Sequence, residues 1–243
     1  MAKGIEICAA VLLFFAGLFT LLYPGLNGAR LESASMEAAE SFIDAFVVPL
    51  ETSRPAVIPP EETPRPYGEL YSAMAEYNEK IYAEGQQGLS GSWAYEEAGI
   101  DLGAYGFAGG VAAVLSIPAI ELEMPVYLGA SYDNMAAGAA VLGQTSLPIG
   151  GENTNCVIAG HRGWNGAAYF LDIDKLQEGD EVQLINPWET MDYAVTELRI
   201  IEPTDIKQIL IQEGRELLTL MSCHPYASGG RYRYLVICER ETT

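Results

Sequence analysis

The hydrophobic pattern of this chain changes texture twice between its ends. Residues 7–23 are almost wholly apolar, a run that at about 1.5 Å per residue just reaches across a bilayer core. Beyond residue 30, Met36, Ala39, Phe42, Ile43 and Phe46 recur at helical spacing and predict an amphipathic helix to about residue 48. Pro49, Pro55, Pro59, Pro60, Pro64 and Pro66 then turn the chain into a spacer. A second helix is predicted over about 67–83, with Leu70, Met74, Tyr77 and Ile81 on one face. Between Gly85 and Gly110, glycines punctuate Trp93, Tyr95, Tyr105 and Phe107, which suits a loop laid over an apolar groove, either as a lid or as plain packing.

After Val111 the periodicity shortens. Runs rich in β-branched and aromatic residues at 114–117, 126–128, 157–159, 182–185, 193–201, 217–222 and 232–238 are separated by turn signals at fairly regular intervals. They predict a mainly β fold, a barrel or sandwich of about eight strands with short helices, preceded by an N-terminal helical region. The expected organisation is a membrane anchor over 1–28, a helical and Pro/Gly-rich region over 29–110, and the β-domain over 111–240. No Gly-rich loop leads into a helix as a phosphate cradle requires.

Charge narrows the partners. With 33 acidic against 13 basic residues, a formal charge of −20 repels phosphate backbones, so no nucleic acid is expected. Lys3 precedes the apolar run and Glu32, Glu37 and Glu40 follow it, which places the N-terminus in the cytoplasm and the rest outside. A cleaved signal peptide is the competing reading, and it exports the β-domain equally. Of the four cysteines, Cys8 lies in the apolar run, while Cys156 and Cys238 read as small core residues on strands; no disulfide framework is visible. The cysteines and two histidines lack metal-ligand spacing, and neither metal nor cofactor is expected.

Cys223 ends the apolar strand Thr219-Leu220-Met221-Ser222-Cys223 and is the thiol left to explain. A thiol attacks poorly while protonated and needs a nearby base or positive charge. His224 follows directly on the same strand and should point to the opposite face. His161, at the end of Cys156-Val157-Ile158-Ala159-Gly160 and before the turn-like Arg162-Gly163-Trp164-Asn165-Gly166, is the better partner. Arg231 and Arg233 share a strand face by parity, and either can donate to an oxyanion; the residues alone do not choose between them. The constellation points to thiol acyl transfer. Hydrolysis by a thiol peptidase and a non-catalytic binding domain with a buried Cys223 are the alternatives.

These segments resemble the sortases, cysteine transpeptidases of the Gram-positive cell surface. Thr219-Leu220-Met221-Ser222-Cys223 is similar to that family's TLxTC motif, with Ser222 in place of threonine. Ala159-Gly160-His161-Arg162-Gly163 is similar to the segment bearing its histidine, and Arg233-Tyr234-Leu235-Val236 to the strand bearing its arginine. The resemblance therefore assigns the catalytic roles to Cys223, His161 and Arg233, with Arg231 in reserve, and implies a closed sortase-type β-barrel. Leu115-Ser116-Ile117-Pro118 and Leu147-Pro148-Ile149-Gly150-Gly151-Glu152-Asn153-Thr154 extend it toward class C, the pilin-polymerising branch. It implies cleavage of an LPXTG-like sorting signal after threonine through a thioacyl-enzyme, and transfer to a pilin lysine or a cell-wall peptide amine. A housekeeping role in wall anchoring is the alternative within the family. The Asp-Pro-aromatic lid motif of many class C members does not occur between Gly85 and Val111, so lid control is not implied. An N-terminal anchor with an extracellular catalytic domain is expected.

Overall fold

The computed structural model describes residues 2–47, 65–89, 99–107 and 109–241. The spacer prolines from Pro49 to Pro64, and Trp93 and Tyr95 of the glycine-punctuated loop, lie outside the described residues. Helix α1 (Ala2–Phe42) runs unbroken through the apolar stretch and continues as a π-helical turn over Ile43–Val47. Helix α2 is Gly68–Ala83 and α3 is Tyr132–Ala137.

The strands are β1 (Val111–Ile117), β2 (Leu122–Leu128), β3 (Ala139–Val141), β4 (Thr154–Ala159), β5 (Arg162–Trp164), β6 (Ala167–Tyr169), β7 (Glu181–Ile185), β8 (Thr190–Ile201), β9 (Glu216–His224) and β10 (Tyr232–Arg240). Eight of them close a barrel in the order β1-β2-β3-β4-β9-β10-β8-β7, and β5 pairs with β6 in a separate hairpin. Of the barrel or sandwich that the periodicity allows, the structure is the closed, mainly β barrel that the family resemblance implies. The alternation of β8, buried at Met191, Tyr193 and Val195 and more exposed at Thr190, Asp192 and Ala194, gives the strand one face on the core and one outside. Strand β9 sits between β4 and β10 and is buried from Leu217 to Ser222. It pairs parallel with β4 and antiparallel with β10.

Strands β3, β5 and β6 escape the sequence pattern because each has three residues, too few to show a period. The β5–β6 turn nevertheless has a local signature. Asn165 and Gly166 both take positive φ, +48° and +93°, as a two-residue hairpin turn demands.

The expected stripe of the N-terminal helix holds at Ala39 and Phe42, which are buried, and at Ile43 and Phe46, which pack against the core, and departs at Met36. Met36 is exposed, and the inward face is Gly28, Leu31, Ser35, Ala39 and Phe42, one turn apart in succession. The reason is the surface it meets. The α1 backbone lies directly on the β5–β6 turn: a Cβ on Gly28 would approach the Gly166 carbonyl carbon to 2.2 Å, and one on Gly166 would approach the Pro24 oxygen to 2.0 Å. Asn27 Nδ2 donates to the Asn165 carbonyl at 3.0 Å, and the Ala168 N–H donates to Glu32 Oε1 at 2.7 Å. Gly28→Val is therefore expected to pry α1 off the hairpin. We predict a loss of about 1–3 kcal/mol, the usual cost of overpacking, read as a fall in denaturant midpoint, with new proteolytic cleavage between α1 and the barrel. Gly25→Val, where nothing lies within 4 Å, is the control.

Helix α2 buries Leu70, Met74 and Ile81 as its spacing predicts, but Asn78 rather than Tyr77 fills the remaining inward position. Asn78 grips the backbone of Leu147, accepting from its N–H at 2.7 Å and donating to its carbonyl at 3.4 Å. Tyr77, half-buried, accepts from the Gln144 N–H. Phe107 is buried against α1, with its ring stacked on Phe46 at 4.2 Å and Tyr67 edge-on at 4.9 Å. This described part of the glycine-punctuated loop is helix packing.

Candidate active site

Strand β9 carries Cys223 as its penultimate residue, and β4 ends two residues before His161. The parallel β4–β9 ladder pairs Thr154 with Glu216 through to Ala159 with Met221, a constant offset of 62 residues. The Gly160 N–H closes the last pair by donating to the Met221 carbonyl at 3.0 Å, and one residue beyond it the same offset persists where Ser222 Oγ donates to the Gly160 carbonyl at 2.8 Å. Continued one step further, it sets His161 opposite Cys223. Ser222, the departure from the usual motif threonine, thus supplies a hydroxyl that ties the end of one strand to the other.

Arg233 arrives from the other side. It is the direct cross-strand partner of Cys223 on β10, so the two side chains leave the same face of the sheet. Cys223, His161 and Arg233 all line one cavity of about 160 Å³, together with apolar Met135, Leu142, Ala159 and Met221. Arg233 is almost fully buried, and its Nη1 donates to the Gly230 and Tyr232 carbonyls at 2.7 and 3.1 Å. Arg231 lies outside β10 and is exposed. Tertiary placement thus separates two arginines that parity left equivalent.

Gly230 was not singled out by the sequence, although the Gly229-Gly230 pair is a turn signal. It takes φ +79°, and a Cβ there would come within 3.0 Å of Arg233 Nη1 and 3.2 Å of Cys223 Sγ. A side chain there would strain the left-handed backbone and crowd both groups, so glycine suits the turn that closes over them.

His161 is half-buried, and its ring stacks on Trp164 with centroids 4.3 Å apart and planes 11° from parallel. Tyr132 in turn meets Trp164 edge-on at 5.8 Å. Trp164 reaches this position because the β5–β6 hairpin folds back beside His161, with the Phe170 N–H donating to the His161 carbonyl at 3.0 Å. Burial penalises the imidazolium and holds the His161 pKa below the ordinary histidine value. The ring is neutral at neutral pH, ready to accept a proton. A histidine lowered in this way binds protons more strongly in the unfolded chain. Its contribution to stability is intact above the unfolded value of about 6.5 and is lost as pH falls from there through the folded pKa. The expected NMR titration midpoint of His161 is below 6.5, and His161→Gln should flatten the fall in denaturant midpoint between about pH 7 and 5. A midpoint above 6.5 would contradict the burial argument.

His224 points to the reverse face of β9, as alternation requires, where its Nδ1 meets Arg162 Nη1 at 2.9 Å. Cys156 and Cys238 are buried in the core, and burial raises both thiol pKa values far above the ordinary range, leaving them inert. Cys8 is exposed on α1. Among the described residues, no group of three or more His, Cys, Asp or Glu side chains is arranged to hold a metal ion.

Fold and site together define a closed β-barrel with a thiol, an imidazole and a guanidinium around one apolar cavity at the ends of adjacent strands. The Sortase domain family model matches residues 115–241, just over half of the chain, and the chain belongs to the sortase family. It is 27% identical over 136 residues to sortase D of Bacillus subtilis (strain 168), spanning 55% of this chain and 66% of that protein. Among solved structures, Clostridium perfringens sortase C with the C-terminal cell wall sorting motif is 30% identical, with a TM-score of 0.61 and coverage of 77% of this chain and 93% of that one. Sortase C-1 from Streptococcus pneumoniae is 26% identical, with a TM-score of 0.66 and coverage of 84% and 99%. The structural neighbours are mainly class C sortases. The N-terminal part of α1 is long and apolar enough to cross a membrane and is a candidate anchor.

Proposed function

We propose that this protein is a cysteine transpeptidase that cuts an LPXTG-like sorting signal after threonine and joins the acyl fragment to an amine, in the manner of the pilin-polymerising sortases. The observation that carries this reading is the common cavity bordered by Cys223, His161 and Arg233, with an apolar lining suited to the leucine and proline of such a signal. The structural neighbour with the sorting motif supports the same substrate class. In the first step the Cys223 thiol gives its proton to the neutral His161 ring, the resulting thiolate bonds to the threonine carbonyl carbon, and Arg233 steadies the oxyanion. The Thr–Gly C–N bond breaks as the His161 imidazolium gives its proton to the departing glycine amine. In the second step the acceptor amine bonds to the thioester carbon, its proton passes to the now neutral His161, and the C–S bond breaks to restore the thiolate. Substrate and acceptor meet the barrel outside the cell, with α1 in the membrane and the N-terminus in the cytoplasm.

Wall anchoring is the second reading, favoured by sequence relatives named sortase A, one of them 30% identical over 122 residues. The full chain in detergent micelles, incubated with sorting peptides and either a pilin-type lysine peptide or a wall-peptide amine, separates the two by mass spectrometry. The expected product is the threonine-ended fragment joined to the lysine amine. Joining only to the wall amine selects the second reading, release of the free acid alone selects a thiol peptidase, and an uncut peptide overturns the proposal.

A further inference from the structure

The offset of 62 residues that sets His161 opposite Cys223 also sets Arg162 opposite His224, and this second pair is bonded, Nη1 to Nδ1 at 2.9 Å. Alternation along both segments sends the two pairs to opposite faces. Arg162 is buried and spends its whole guanidinium there. Its Nε donates to the Leu171 carbonyl at 3.3 Å, Nη1 reaches His224, and Nη2 pairs with Asp174. Leu171 and Asp174 follow the β5–β6 hairpin, so one side chain joins the His161 segment, the chain beyond its hairpin, and the end of the Cys223 strand. Because the guanidinium has no acceptor, His224 Nδ1 must be the lone-pair nitrogen and its ring hydrogen sits on Nε2. The His224 ring also rests near Tyr234 on β10, with centroids 5.6 Å apart.

We propose that Arg162 and His224 form a brace behind the reacting pair that fixes the separation of His161 from Cys223, making both positioning residues. This rests on the transpeptidase reading for its kinetic consequence. The physical need is specific to this site. Regular β4–β9 pairing ends at Ala159 and Met221, so the backbone ladder does not hold the next residues in register. The Gly160 N–H to Met221 carbonyl bond and the Ser222 hydroxyl both tie Gly160 to β9, one residue short of His161, while the His161 carbonyl is bonded to Phe170 of its own hairpin segment and not to β9. The Arg162–His224 bond is the tie on the far side, one residue beyond His161 and Cys223, so the reacting pair is bracketed between it and Gly160. A misplacement of about 1 Å between reacting groups can lower the rate about 100-fold.

The test compares His224→Leu, His224→Asn and Arg162→Lys in the full chain, with transfer kinetics and, without substrate, the rate at which iodoacetamide alkylates Cys223. Asparagine offers Oδ1 near the position of Nδ1 and can accept from Arg162, whereas leucine fills space and accepts nothing. The expected result for His224→Leu is a kcat lower by about 10- to 100-fold, with KM within about twofold and a changed alkylation rate. His224→Asn should recover to within about threefold of wild type on both readouts. Arg162→Lys, which keeps the charge beside Asp174 but cannot make the three-way contact, should behave like His224→Leu. Wild-type kcat and alkylation rate in both His224→Leu and Arg162→Lys would overturn the brace, as would equal losses in the leucine and asparagine variants. If the wild-type chain transfers no peptide at all, the transpeptidase reading fails, and the alkylation rates alone decide whether the brace sets the Cys223 environment.

Discussion

Cys223→Ala is expected to lower amide transfer by at least about 10³-fold and to abolish the covalent peptide adduct, the largest effect of any single change in this protein. The magnitude follows from losing the only route to a thioester, since what remains is binding and polarisation of a carbonyl with no nucleophile in reach. The fold should survive, because Cys223 is part-exposed at a strand end and alanine leaves little unfilled. Three internal comparisons make the result specific. Cys156 and Cys238 are buried, so iodoacetamide should label Cys223 in the native chain and spare both until denaturant is added. Cys8 is exposed on α1 and is removed by Cys8→Ser so that the count is unambiguous. Intact-mass spectrometry of wild type with a sorting peptide should show an added acyl fragment, and Cys223→Ala should show none. Retained transfer by Cys223→Ala would remove the thiol from the mechanism.

Arg233→Ala is expected to reduce kcat/KM by about 10²- to 10³-fold, the usual loss when one preorganised oxyanion donor is removed. Here the effect has two separable parts. Arg233 is buried and donates to the Gly230 and Tyr232 carbonyls, so its removal also leaves acceptors without that partner, at about 1–3 kcal/mol. Arg233→Lys keeps a positive charge but lacks the planar fork, and should regain part of the stability and little of the rate. Arg231→Ala should keep wild-type kinetics, because that side chain is exposed and outside the strand. Denaturant midpoints measured beside kcat and KM divide the two contributions. Equal activity loss in the Arg231 and Arg233 variants would show that general surface charge, and not the cross-strand position next to Cys223, matters.

Much of the barrel can be read from the residues themselves because its long strands have a period. Val114 to Ile117, the alternation through β8, and the apolar runs of β9 and β10 are each long enough for side-chain pattern to outweigh accident. The three-residue strands are too short for that, and the composition of Ala139–Val141 favours no particular element. On the N-terminal helix, spacing found Ala39, Phe42, Ile43 and Phe46 correctly but also pointed to the exposed Met36, and it missed Gly28, where the α1 backbone touches the β5–β6 turn. Spacing finds apolar stripes; it does not find a contact made by the absence of side chains.

Residue type and local pattern by themselves determined a mainly β domain after an apolar helix, and singled out a thiol at a strand end as the candidate nucleophile with His161 as its candidate partner. Parity along one strand also fixed that His224 turns away from the sulfur. What only the tertiary structure decided is which groups meet: the placement of Arg233 beside Cys223 with Arg231 exposed outside the strand, the stacking of Trp164 on His161, the turn of Gly230 over thiol and guanidinium, and the Arg162–His224 bond. The physical reason is that local periodicity constrains only the face a side chain leaves from. The neighbour on that face is set by register between strands 62 residues apart, and register is a property of the closed barrel.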